Sequence, residues 1–191
     1  MFHQSDRFFV LTGGPGAGKT TLVEALRDAG FATTTEAGRA IIRDQLAIGR
    51  PTLPSNDPAL FAELMLSWDM RSYRSALGEQ GAVFFDRGVT DLVGYFALMG
   101  LPVPAHVRAA AEQFRYAARV FVAPPWPEIF TQDDERKQTF EEAERTHDAV
   151  AKANLELGYE LVPLPRAPVE ARLRFVLAQA GLSARSRRFT A

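Results

Sequence analysis

The 191 residues carry 22 basic and 23 acidic side chains, interspersed to a formal net charge of −1, so the chain has no bulk electrostatic footprint for DNA or RNA. The absence of cysteine excludes disulfides, thiolate catalysis and Cys-ligated zinc, and His3, His106 and His147 are too scattered to make a His-x-x-x-His metal pair. A hydrophobic content of 47% suits one well-buried domain, expected over residues 1–183, with a solvated basic tail at 184–191.

The first apolar run, residues 8–11, is too short for a signal-peptide core and leads directly into Gly13-Gly14-Pro15-Gly16-Ala17-Gly18-Lys19-Thr20. That octapeptide matches GxxxxGK[ST], and a helical pattern over 21–29 follows it. In this setting glycines let backbone N–H groups turn around an anion, and the helix adds its positive N-terminus. Gly13, Gly14, Pro15, Gly16, Ala17, Gly18, Lys19, Thr20 and Thr21 are therefore expected to hold a nucleoside triphosphate. Lys19 would reach the β and γ phosphates, and Thr20 would ligate Mg²⁺, the one metal such a chain is expected to use.

Short β-favouring runs at 31–35, 82–85, 120–123 and 159–162 come next, separated by helix-patterned stretches at 37–48, 58–77, 91–99, 105–118, 140–157 and 168–180. Alternation of this kind predicts an α/β fold with a parallel sheet covered on both faces. The polar stretch 131–137 lacks an apolar period and is expected to form a flap inside a lid at about 125–147. No apolar stretch approaches the roughly 18 residues of a membrane span, so a soluble, cytoplasmic protein is expected.

The acidic residue ending a later strand separates the P-loop classes. Val83-Phe84-Phe85 ends in Asp86-Arg87-Gly88 rather than the Asp-Glu of a motor-type ATPase, and no guanine-reading Asn-Lys-x-Asp occurs. An Asp-Arg pair suits phosphoryl transfer to a small acceptor. The Asp86 carboxylate can take the acceptor's proton or hold Mg²⁺ through water, and the Arg87 guanidinium can clamp phosphate. Glu36 ends the second strand and is expected either to contact the acceptor or to cap the next helix, with Arg39 pairing Glu36 or touching substrate. Asp69, Arg71 and Arg74 on the long helix 58–77 face either an acceptor pocket or solvent. Arg136 in the flap, and Arg145 further along, could close over the triphosphate as lid cations.

Taken together, the phosphate loop, Thr35-Glu36-Ala37-Gly38-Arg39, Phe84-Phe85-Asp86-Arg87-Gly88 and Ala123-Pro124-Pro125-Trp126-Pro127 resemble the small bacterial AAA-type P-loop ATPase/kinase family that includes the ribosylnicotinamide kinase domain of the NAD regulator proteins. The resemblance spans most of the chain. It implies a P-loop three-layer sandwich like that of nucleoside and nucleotide kinases, with a five-stranded parallel sheet in the order 2-3-1-4-5, helices on both faces and a helical lid. It further implies ATP and Mg²⁺ on residues 13–21, acceptor contacts near Glu36 and Asp86, lid cations at Arg136 or Arg145, and adenine near the loop Pro165-Arg166-Ala167-Pro168. The expected activity is transfer of phosphate from ATP to a nucleoside, nucleotide or ribosylated base. A regulatory nucleotide switch with a protein or lipid partner is the alternative.

Overall fold

The computed structural model describes residues 3–49, 52–131 and 138–183. Along the chain run β1 (His3–Gln4), β2 (Phe8–Gly13), α1 (Lys19–Asp28), β3 (Ala32–Thr33), α2 (Ala37–Ala47), α3 (Pro58–Ala76), β4 (Val83–Asp86), α4 (Val89–Leu98) and α5 (Ala105–Gln113). They are followed by β5 (Phe114–Arg115), β6 (Arg119–Ala123), a single 3₁₀ turn (Pro127–Ile129), α6 (Phe140–Glu156), β7 (Glu160–Pro163) and α7 (Val169–Gln179).

Strand β2 is the centre of the fold, with all six residues buried. Successive side chains of a strand point to opposite faces. Phe8 and Val10 join Val83, Phe85, Val120 and Val122 in a core closed by α3, α4, α5 and α6. Phe9 and Leu11 join Phe84 and Phe121 in a second core closed by Leu22, Val23 and Leu26 of α1 and Val176 and Leu177 of α7. A sheet sandwiched in this way buries apolar side chains on both sides, which is why its strands read as continuous apolar runs.

Every pairing in the sheet is parallel, in the order β3-β4-β2-β6-β7. Counting only these five strands, this is the expected 2-3-1-4-5 arrangement. The register sets Leu11 beside Asp86 and Gly13 beside Ala123, so the phosphate loop and the Asp-Arg pair leave the sheet side by side at its carboxyl edge. In open parallel sheets that edge is where ligands bind.

Two local expectations are corrected. The helix foreseen over 105–118 stops at Gln113, and β5 pairs instead with β1 in a separate two-stranded ribbon. Tertiary bonds override the helical period here: the Arg115 carbonyl accepts from Tyr73 Oη at 2.7 Å, and Tyr116, 1% exposed, turns into the core. The strand foreseen over 31–35 is regular only at Ala32 and Thr33; Thr34 still donates its N–H to Phe84 O at 3.0 Å, but its hydroxyl accepts from the Asp86 N–H at 3.2 Å. Among the described residues, no helix is long and apolar enough to cross a membrane.

Helix α4 packs closely against α6, and Gly94 faces its backbone. A Cβ there would lie 2.8 Å from both the Ala149 carbonyl oxygen and the Val150 Cα, which are backbone atoms with no rotamer to escape into. Gly94→Ala should therefore cost about 1–3 kcal/mol by overpacking, despite alanine's better helix propensity. A thermal melt checks this, and an unchanged or higher Tm would contradict so close an approach.

Candidate functional site

The loop between β2 and α1 adopts backbone conformations that side chains resist. Gly13, Gly16 and Gly18 have φ of 124°, 72° and 70°. Gly14 is needed for space, since a Cβ would meet the Ala143 carbonyl of α6 at 2.2 Å. Lys19 opens α1, is 5% exposed, and donates to the carbonyls of Gly14 at 2.7 Å and Gly13 at 3.3 Å. Its ammonium is thus held folded over the loop, among the groups that would cradle a phosphate. Thr20 follows it at the exposed start of the helix.

Arg172 of α7 holds the loop from outside. Its Nη1 donates to Gly18 O at 3.2 Å and its Nη2 to Ala17 O at 3.1 Å, while its guanidinium lies 5.9 Å from the centre of the Trp126 ring. A trans peptide points C=O and N–H in opposite directions. Fixing these two carbonyls therefore turns the N–H groups of Gly18 and Lys19 the other way, away from Arg172. Burial works against the charge and lowers the pKa of Arg172 from its ordinary value.

A cavity of about 420 Å³ opens beside this loop, between Trp126, Ile129 and the segment Ala167-Pro168-Val169. Ala167 and Pro168, in the loop after β7, thus line the cavity beside the glycine-rich loop. Arg166 itself is exposed and not part of the lining.

A second, mostly apolar cavity of about 150 Å³ lies between α2, α3, α4 and α6. Glu36, Asp69, Arg87 and Asp91 reach it along with Phe61, Met65 and Tyr95. Arg39 lines both cavities.

Charged side chains at the junction form one cluster. Arg87, with φ of 67°, is the single non-glycine of positive φ among the described residues. Its Nε donates to Glu36 Oε1 at 3.1 Å and its Nη1 to Asp91 Oδ2 at 3.4 Å. Burial opposes the charge on Arg87, and Glu36, Asp91 and Asp86 more than offset it, so the guanidinium stays charged. Asp91 accepts as well from the Thr12 hydroxyl at 2.5 Å and from Asn154 Nδ2 at 3.2 Å, which ties α4 to β2 and α6. Burial raises the pKa of Asp91, against the lowering pull of Arg87.

Asp86 is 5% exposed, and its Oδ1 has no hydrogen-bond partner among the described residues. Burial first, then the charge of Glu36, push its carboxyl up to about 6, while Lys19 and Arg87 pull it down. Asp86 lines neither cavity. An orphaned carboxylate oxygen on Asp86 and the hydroxyl of Thr20, at the exposed start of α1, are hard-oxygen donors of the kind that fit Mg²⁺ completed by phosphate oxygens and water. No group of three or more His, Asp or Glu that could hold a metal by themselves occurs among the described residues.

Several expectations divide at this point. Glu36 occupies the N-cap position of α2, yet its side chain makes no capping bond and pairs with Arg87 and, at 3.7 Å, with Arg39. Capping is thus not its duty. Asp69 is buried against the second cavity, whereas Arg71 and Arg74 of the same helix are exposed. Arg145 is also exposed and pairs with Glu142 at 4.0 Å on the outer surface of α6, away from both cavities. Arg136 lies outside the described residues.

Arg172, Asp91 and Asn154 were not foreseen. Each sits at an apolar spacing of an otherwise amphipathic helix, Arg172 four residues before Val176 and Asn154 four after Val150, and that mismatch is the one signal the sequence offers.

The chain matches the model of a family described as AAA domain over residues 8–172. No curated protein matches it by sequence. Among solved structures, deoxyadenosine kinase from M. mycoides, with dCMP and dCDP bound, superposes with a TM-score of 0.65 at 12% identity, covering 91% of this chain and 98% of its own. Thymidylate kinase from Ehrlichia chaffeensis gives 0.59 at 14% identity, over 90% of this chain and 97% of its own. The NadR protein in complex with NR gives 0.70 at 16% identity over 96% of this chain, which spans 54% of that larger protein. At such identities the likeness is one of fold: that of the P-loop kinases.

Arg172→Met keeps the bulk of the side chain and removes both bonds to the loop. Hydrogen bonds from a charged donor contribute about 1.5–3 kcal/mol, so ATP affinity should fall roughly 10- to 100-fold. Calorimetric titration checks this, and unchanged affinity would mean the loop holds its shape without Arg172.

Proposed function

The chain belongs to this AAA domain family, and from that premise we propose that it is a cytoplasmic enzyme transferring the γ-phosphoryl group of ATP, with Mg²⁺, to a hydroxyl of a small acceptor such as a nucleoside, nucleotide or ribosylated base. The observation that carries the proposal is the pair of cavities meeting at Arg39: one along the phosphate loop, the other largely apolar and edged by Glu36 and Arg87. An enzyme passing phosphate only to water has no use for the second. The kinases of deoxyadenosine and thymidylate among the structural neighbours support the same reading. The family match over 8–172 supports treating 1–183 as one functional unit.

In this reading ATP lies along residues 13–21 with its base toward Ala167 and Pro168. Lys19 moves from the loop carbonyls to the β and γ phosphates. Thr20 and Asp86 hold Mg²⁺, which when bound neutralises charge on the phosphates. Of the two duties expected of Asp86, the metal-side one is favoured, because Glu36 and not Asp86 borders the acceptor cavity. Glu36 then receives the acceptor's hydroxyl proton as the new O–P bond forms, and the bridging P–O bond breaks with its electron pair leaving on ADP. Arg39, common to both cavities, stabilises charge on the group in flight. Arg87 holds Glu36 in place.

Two substitutions separate binding from transfer. Lys19→Ala should weaken ATP binding or turnover by about 100-fold or more, because a preorganised donor to the phosphates is lost. Asp86→Asn should leave ATP affinity within a few-fold while slowing phosphoryl transfer by about 100-fold. Nucleotide titration and product analysis by mass spectrometry read the two effects apart. Transfer at the normal rate in Asp86→Asn would remove Asp86 from the site. ADP release that no acceptor changes would favour a regulatory nucleotide switch.

A further inference from the structure

The proposed transfer leaves one buried carboxyl unused. Asp69, on the face of α3 that lines the acceptor cavity, is 8% exposed, and no described residue donates a hydrogen bond to it. A carboxyl with little water around it and no protein donor is poorly stabilised. Burial, then the charge of Asp91, raise its pKa well above the ordinary carboxylate range, and a donor arriving in the cavity favours the ionised form. Such a group is stabilised by whatever brings an N–H or O–H into the cavity.

The same cavity is poorly suited to phosphate. Among the described residues, its charged lining consists of the carboxyls Glu36, Asp69 and Asp91 and the guanidiniums Arg39 and Arg87. Arg87 is committed to Glu36 and Asp91, and Arg39 pairs with Glu36 at the border with the nucleotide side. A phosphomonoester dianion seated here would face Asp69 and would have to break an existing ion pair to gain a cation. Carboxyls that face an incoming anion penalise it, which is how a site rejects a wrong partner. The remaining wall favours a flat ring: Phe61 and Tyr95 lie with centroids 6.0 Å apart and planes at 49°, and Met65 flanks them one turn before Asp69.

We propose that the acceptor is a phosphate-free, ring-bearing alcohol, nucleoside-like rather than a nucleotide, which packs its ring against Phe61, Met65 and Tyr95 and donates an N–H or O–H to Asp69. The hydroxyl that becomes phosphorylated is the one near Glu36. The fate of that hydroxyl rests on the transfer reading above; the selectivity of binding does not.

The test is calorimetric titration of the full chain, with Mg²⁺ and a non-hydrolysable ATP analogue present, using adenosine, cytidine, thymidine and a ribosylated nicotinamide, each against its own 5′-monophosphate. At least one phosphate-free compound should bind, and its monophosphate should bind about 100-fold more weakly. Asp69→Asn should weaken the phosphate-free partner by about tenfold and bring the pair within a few-fold of each other. Should that variant not fold, Met65→Arg adds a cation to the same wall, and the monophosphate should then equal or surpass its partner. A monophosphate that binds wild type as tightly as its partner, or no binding by any member of the set, overturns the proposal. A compound that binds with this selectivity yet never takes phosphate from ATP sinks the transfer reading and leaves the assignment of the cavity standing.

Discussion

The ion pairs of Arg87 are the constraint on which the rest of the site depends. Arg87 leaves the central sheet in the left-handed region, a conformation that costs a non-glycine residue about 1–2 kcal/mol, and it stays there because Glu36 and Asp91 hold its side chain from either side. Each partner comes from a different helix, so one guanidinium fixes the start of α2 and the first turn of α4 against the end of β4. Asp91 extends the grip to Thr12 below the phosphate loop and to Asn154 on α6. Removing one member would strand charges in a partly dry setting, and that coupling makes the cluster rigid.

That rigidity divides the site into two chambers of different character. The chamber along the glycine-rich loop is built largely from backbone, with Arg172 bracing two of the loop carbonyls and Lys19 folded over the loop. The other chamber is built from side chains, mostly apolar apart from its carboxyls and the arginines that answer them. Backbone recognition suits a donor whose phosphates are always the same. Side-chain recognition can vary from one relative to the next. The structural neighbours share the fold at 12–16% identity.

What could be read from the sequence follows the range of the forces involved. The phosphate loop, the parallel strands and the Asp-Arg pair are encoded by neighbours in the chain, through glycine at special φ, apolar runs and the end of a strand, and they lie where expected. The order of the strands came from the family resemblance rather than from periodicity. Arg172 reaches a carbonyl 155 residues away in the chain, and only its apolar spacing, four residues before Val176, sets it apart from a solvated arginine. Asp69 and Arg145 present the converse pair, both polar positions on helices, one turned inward by tertiary packing and the other left on the surface. The β1–β5 ribbon was missed because two-residue strands carry no period at all.

The central claim is that the two chambers work as one transfer site, and the most direct measurement is the destination of the γ-phosphoryl group. The protein would be incubated with Mg²⁺, ATP labelled at the γ position and a candidate acceptor, and the label followed by mass spectrometry. Label on an acceptor hydroxyl, absent without protein and absent with Lys19→Ala, is the predicted result. Label found only in inorganic phosphate, at a rate no acceptor alters, would contradict the account.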